Sequence, residues 1–362
     1  MRYLLLFLLL CSVIYSKRPL GSVINLIPVT CSTEFPAGAV CTRITVTCPE
    51  TTDLGAVYGV IQPADGVFIG TTPLMNGGGS TSVFNNGYIN YYQSRGIRTV
   101  PVVWDAPGWN PSDTTGATRQ NLKAAVCRCA TVYRHLFDVV HFGDSSHGFC
   151  PHGHSGGAAS IGYTMTDYGG DDWIDYGLMS AGPIFSNMSA GCIVPIPSNI
   201  TVCPPNQNYC GQVSESFSGT PSFIDTFGSC NPALIELTGY PCACPPTISN
   251  ATEIAWWNMQ SIVSPDADLC YKHTALSSWL CTSTAPGTGP NNVAPEQSQY
   301  FAQNVFAQNG YTEYLIANCG GAESIWSGTY QPTGVSGLTF SADTLIENCI
   351  PRHHKKPSCK NN

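Results

Sequence analysis

Apolar residues follow two rhythms along this chain. Short unbroken runs, GAVYGVI (55–61), GVFIG (66–70) and RTVPVVWDAPGW (98–109), read as buried strands ending in turns. The segment from 118 to 138 instead repeats its apolar positions at three and four residues (Leu122, Ala125, Val126, Cys129, Val132, Tyr133, Leu136), the spacing of an amphipathic helix. A helix is also predicted over 84–94, closed by Gly96. Strand and helix go on alternating: HGFCPHG (147–153), SGGAASIGYTMTDYG (155–169) and WIDYGLMSAGP (173–183) form strand, helix and strand. This order predicts an α/β fold with a mostly parallel central sheet flanked by helices on both faces.

The alternation breaks from Cys192 to Cys270, where cysteines (192, 203, 210, 230, 242, 244, 270) and prolines replace periodicity, apart from EIAWWNMQSIV (253–263). This reads as a disulfide-rich cap insertion, with Trp256 and Trp257 available to line an apolar cleft or to pack the cap. The sheet resumes with TALSSWLCTS (274–283), the helix from Pro295, the strand TEYLIAN (312–318) and a last helix, SADTLIENC (341–349). The expected organisation is a signal peptide (1–16), a Cys-pinned N-terminal β-region (17–55), a first core half (56–191), the cap insertion (192–270), a second core half (271–350) and a basic tail (351–362). There is no internal repeat.

Composition narrows the function classes. Lys+Arg 15 against Asp+Glu 23 gives a net charge of −8. The basic residues cluster nowhere before PRHHKKPSCKNN, so nucleic acid is not an expected partner. The apolar run Leu4–Ile14 behind Arg2 is shorter than the roughly 20 residues that span a bilayer, and reads as a cleaved signal. No transmembrane segment follows, so a secreted, extracellular protein is expected. Of 18 cysteines, Cys11 leaves with the signal. The remaining odd number implies disulfides plus one free or intermolecular thiol, with Cys127, Cys129, Cys242 and Cys244 read as disulfide ends. Sequons at Asn187, Asn199 and Asn250 are candidate glycosylation sites.

The chemistry concentrates at Gly153-His-Ser-Gly-Gly157. A serine hydroxyl becomes a useful nucleophile only when it is exposed on a sharp turn, relieved of its proton, and faced by donors for the developing oxyanion. Glycines flanking Ser155 between a strand and a helix permit that turn. The turn Asn76-Gly77-Gly78-Gly79, after an earlier strand, would supply one oxyanion donor from Gly78 or Gly79, and Gly156 the other. His147, His152 and His154 invite a zinc reading, but no HExxH occurs and His154 lies on the elbow itself. Neither a metal nor a cofactor is expected.

From about Ala56 to Cys349, and above all in GVFIGTTPLMNGGGS, GHSGGAA and YGLMSAGP, the chain resembles an α/β-hydrolase of the secreted esterase and lipase type. The resemblance implies an acid after a late strand and a histidine after the last one. In PNNVAPEQSQYF the acid position is taken by Asn291; in TEYLIANCGGAESIWSG the base position holds Glu323. Beyond Ser155 the histidines are His273, expected at the opposite sheet edge, and His353 and His354 in the tail. Two functions stay open. One is a degenerate hydrolase that binds a small ester or apolar ligand without turnover. The other is an active serine ester hydrolase with an unrecognised base.

Overall fold

The computed structural model describes residues 17–77, 80–105, 108–109, 122–183, 185–188, 199–202, 211–214, 255, 258–282, 295–309, 312–317, 325–330 and 332–351. The signal segment 1–16, the tail from 352 and most of 192–257 lie outside them, so those expectations, with Trp256, Trp257, Cys242 and Cys244, are not described here.

In chain order the strands are β1 (Ser22–Val29), β2 (Val40–Cys48), β3 (Thr51–Val60), β4 (Gly70–Met75), β5 (Ile97–Trp104), β6 (Gly148–Phe149), β7 (His152–His154), β8 (Tyr176–Ser180), β9 (Asn199–Val202), β10 (Gly211–Ser214), β11 (Ala275–Thr282), β12 (Thr312–Ala317), β13 (Thr329–Tyr330) and β14 (Val335–Ser336). The helices are α1 (Asn86–Ser94), α2 (Leu122–His135), α3 (Gly156–Asp167), α4 (Pro295–Asn309) and α5 (Gly337–Asn348).

The large sheet runs β1-β2-β3-β5-β4-β7-β8-β11-β12-β13-β14, with β6 beside β4. Strands β5, β4, β7, β8, β11 and β12 are mutually parallel. An antiparallel meander, β1-β2-β3, is joined to β5 and extends one edge, and β13-β14 closes the other. Strand β3 crosses residue 55, so the N-terminal strands are continuous with the same sheet. Strands β9 and β10 form a separate antiparallel pair.

One face of the sheet packs against α2, α3 and α4 through residues such as Val126, Tyr133, Ile161 and Phe301. The other packs against α1 and α5 through Tyr88, Tyr92, Ala342 and Leu345. Parallel strands covered by helices on both faces are buried on both, as β4, β7 and β8 are throughout.

Two sequence expectations need correction. The run GVFIG is not a strand: Gly66 takes φ 69° in a turn, and pairing begins at Gly70. Val67 is left exposed, so apolar content without alternation placed the strand four residues early. Cys129 is not a disulfide end but a buried free thiol. It lies two positions from Cys127, a separation that puts the pair on different sides of α2, and Cys127 reaches Cys48 instead. The other described bridges are Cys31–Cys41, which pins the β1–β2 connection, and Cys150–Cys349, which ties the link between β6 and β7 to the end of α5. Cys270 and Cys281 are also disulfide-bonded.

Candidate functional site

Strand β7 delivers the chain into α3 through Ser155, whose backbone sits at φ 53° and ψ −115°. A left-handed φ at a non-glycine residue costs free energy and persists only where the surroundings enforce it. Here the enforcement is visible on both sides. A Cβ on Gly153 would stand 2.2 Å from the Gly157 carbonyl oxygen, and one on Gly157 would stand 2.1 Å from that of Met75. Both obstacles are backbone, so only glycine lets β7, the turn and β4 approach this closely. The Ser155 N–H donates to the Ser180 carbonyl at 2.8 Å, and the Ala159 N–H donates back to the Ser155 carbonyl at 3.1 Å. Ser155 therefore sits on a strained strand-to-helix turn, the elbow of this sheet, and is only 5% exposed.

Gly156 is the first residue of α3, where backbone N–H groups have no partner within the helix and the dipole favours negative charge. The glycine-rich loop after β4 comes up beside the serine: an added Cβ on Gly77 would lie 3.9 Å from Ser155 Oγ. The Gly77 N–H is held by the Asn76 side chain at 3.0 Å, and Ser80 N–H donates to the Gly77 carbonyl. Gly78 and Gly79, the expected donors, lie outside the described residues.

Beneath the elbow lies a buried polar chain that the sequence reading missed. His152 Nδ1 is 3.0 Å from the Tyr92 hydroxyl and its Nε2 2.7 Å from Ser180 Oγ. The rings of Phe84 and Tyr88 stand edge-on to the imidazole at 4.8 Å. Burial, helped by His154, holds the His152 pKa well below the usual imidazole value, so the ring is neutral. Burial likewise keeps Tyr92 protonated. Tyr92 and His152 belong to elements 60 residues apart, and no local periodicity links them.

The other described histidines have partners of their own. The His154 ring packs on Trp326 at 5.7 Å. His141 bonds Thr71 Oγ1 and the Asp144 carbonyl, and His147 pairs with Asp144 at 2.6 Å, both in the turn before β6. His273 precedes β11, where its N–H donates to Asp171, at the sheet edge opposite the elbow as expected. Among the described residues no group of three His, Cys, Asp or Glu side chains is placed to hold a metal ion. His353 and His354 lie outside the described residues, as do Asn291, Glu323 and Asn250.

The elements flanking Asn291 and Glu323 are described. Helix α4 begins four residues after Asn291, and its first turn is tied to the exit of β8. Gln297 accepts from the Asn187 N–H at 2.6 Å and donates to the Asn187 carbonyl at 2.9 Å, and Ser298 Oγ donates to the Gly182 carbonyl. Asn187 itself is half-buried. Trp326, against His154, follows Glu323 by three residues. Asn199 starts β9. Among the described residues no helix is long and apolar enough to cross a membrane.

No protein-family model and no curated protein matches the sequence. Solved structures do match. Acetyl xylan esterase 1 of Thermoanaerobacterium superimposes with a TM-score of 0.50 at 12% identity, over 91% of this chain and 88% of that one. Candida antarctica lipase A gives a TM-score of 0.53 at 11% identity, over 94% and 85%. At such identities the likeness speaks for architecture, and with the parallel sheet and the Ser155 elbow it establishes that the chain has the α/β-hydrolase fold.

Proposed function

We propose that this protein is a degenerate α/β-hydrolase, which uses the elbow to bind a small ester or apolar ligand and does not turn it over. The observation that carries the reading is the placement of the histidines. An elbow serine needs an imidazole within hydrogen-bond reach, about 3 Å. Of the two nearest along the chain, His152 spends both ring nitrogens on Tyr92 and Ser180, and the His154 ring packs on Trp326. The sequence supports it further: the positions that the family reserves for acid and base hold Asn291 and Glu323. Without a base, catalysis falls to what binding and the oxyanion hole alone provide.

The same reading includes secretion through a signal peptide, carbohydrate at Asn187, Asn199 and Asn250, and a cap formed by 192–270. The disulfides Cys31–Cys41, Cys48–Cys127 and Cys150–Cys349 support an oxidising compartment. The second reading, an active serine ester hydrolase, is favoured by one feature: the strained Ser155 backbone, which a binding protein has no chemical need to keep.

A fluorophosphonate probe distinguishes the two. Slow or absent labelling at neutral pH is expected. Fast stoichiometric labelling, abolished in Ser155→Ala, would show that a base serves this serine and would establish the hydrolase reading.

A further inference from the structure

A cleft opens on the face of β2, β3 and β5 away from α2, beside Asp105 at the end of β5. Its volume is about 520 Å³, within the range of small-molecule sites. The floor follows from alternation along β3. Gly55, Val57 and Gly59 lie on the same face, and the two glycines let neighbouring side chains come down onto the sheet on either side of Val57. At Gly55 the space is filled by Asp105: a Cβ there would stand 2.1 Å from Asp105 Oδ2. At Gly59 it is filled by the Phe35 ring, which a Cβ would meet at 2.6 Å. Between them Val57 and its pairing partner Val103 form an apolar base.

The walls are polar. Arg43, opposite Val57 in the register, forks onto Asp105 with Nη1–Oδ2 at 2.9 Å and Nη2–Oδ1 at 3.3 Å. That fork uses two of the five guanidinium donors. Glu34 and the hydroxyls of Thr30 and Ser32 come from the loop that Cys31–Cys41 fixes in place. Thr81 adds a third hydroxyl, four residues after the Gly77 that flanks Ser155.

We propose that this cleft binds a neutral saccharide. A pyranose ring has an apolar C–H face and a rim of hydroxyls that both donate and accept, which matches an apolar base bounded by a guanidinium, two carboxylates and three hydroxyls. The Arg43–Asp105 pair cancels its own charge and Glu34 adds one negative charge, so an anionic ligand is disfavoured. The inference stands on the sheet face alone and does not depend on whether Ser155 is active.

Cellotetraose, chitotetraose and mannotetraose, with trigalacturonate as the anionic comparison, would be titrated into the full chain by saturation-transfer NMR and calorimetry. At least one neutral oligosaccharide is expected to saturate with a Kd below about 1 mM. Val57→Trp, which fills the base, and Glu34→Ala, at an exposed position, should each weaken it at least fivefold with the fold intact by circular dichroism. Should Val57→Trp fail to fold, Glu34→Ala still decides. Ser155→Ala should bind as wild type, which separates failure here from failure of the elbow reading. The proposal is overturned by absence of saturable binding to all three, by equal binding of trigalacturonate, or by binding that neither substitution weakens.

Discussion

His152 holds Ser180 from beneath the elbow. Its Nε2 stands 2.7 Å from Ser180 Oγ, while the Ser180 carbonyl accepts the Ser155 N–H at 2.8 Å. One buried imidazole thus fixes the residue that fixes the strained serine, and its neutrality ties the elbow to pH.

The first prediction follows from the sign of that pKa. In the unfolded chain His152 titrates near 6.5, whereas in the fold burial keeps it far lower. Below about pH 6.5 the unfolded state therefore takes up a proton that the folded state refuses, and stability is lost as pH falls, by up to about 1.4 kcal/mol per unit. His135 and His141, also lowered chiefly by burial, act in the same direction. His152→Gln should lose about 1–3 kcal/mol at pH 7, where Tyr92 and Ser180 lose their partner. Between pH 6.5 and 5 its stability should fall less steeply than that of wild type. Urea unfolding of both proteins at pH 7 and 5 measures this, and parallel pH slopes would rule His152 out as the source.

How much of this was legible in the sequence depends on the range of the interaction. Helices α1 and α2, strand β5 and the strand–turn–helix around Ser155 could be read because a three-to-four repeat, an apolar run or glycines flanking a turn are local patterns. The start of β4 could not, because Gly66 turns the chain just before it and Val67 is apolar but exposed. The Tyr92–His152–Ser180 chain joins three elements through side chains and leaves no periodic trace. The pairing of Cys150 with Cys349 spans 199 residues, and no spacing rule selects it over the alternatives.

The elbow glycines make a second prediction. Gly157→Ala places a methyl 2.1 Å from the Met75 carbonyl oxygen, and backbone on both sides cannot yield. Destabilisation of several kcal/mol or loss of folded protein is expected, well beyond the roughly 1 kcal/mol typical of point substitutions. Thermal unfolding beside Gly38→Ala provides the contrast. Gly38, unlike Gly157, has a positive φ, but nothing lies within 4 Å of its added Cβ, so only backbone strain is expected there. Equal losses for the two would show that the close approach of β4 and α3 does not constrain the elbow.

A third prediction concerns Lys123, buried on α2. Its Nζ lies 2.8 Å from Asp167 Oδ1, 2.9 Å from Asp266 Oδ1 and 2.7 Å from Ser264 Oγ. Burial is the main influence on Asp167 and raises its pKa, with Lys123 opposing it. Removing one partner of a buried pair leaves the other uncompensated, so Lys123→Met should cost about 3–5 kcal/mol. Adding Asp167→Leu should recover part of that loss, because the orphaned carboxyl goes with it. Chemical denaturation of the two single variants and the double variant gives the coupling, and strict additivity would show that the pair does not act as a unit.

The last prediction asks whether two side chains separate this elbow from a working one. If Asn291 and Glu323 occupy the acid and base positions, Asn291→Asp with Glu323→His supplies a carboxylate and an imidazole to a serine whose turn is already built. Triad members act as a unit, so the gain should be strongly non-additive. Asn291→Asp alone has no imidazole to orient and should do nothing. Glu323→His alone should give a small rate, since an unoriented imidazole can still take the proton. Hydrolysis of a short-chain nitrophenyl ester by all four forms, each repeated with Ser155→Ala, gives the cycle. Turnover that appears only in the double variant and vanishes with Ser155 would locate the degeneracy at these two positions. Ser155-dependent turnover already present in wild type, and not improved by the double change, would mean that an imidazole reaches the elbow from His353 or His354, and the binding reading would give way to the hydrolase.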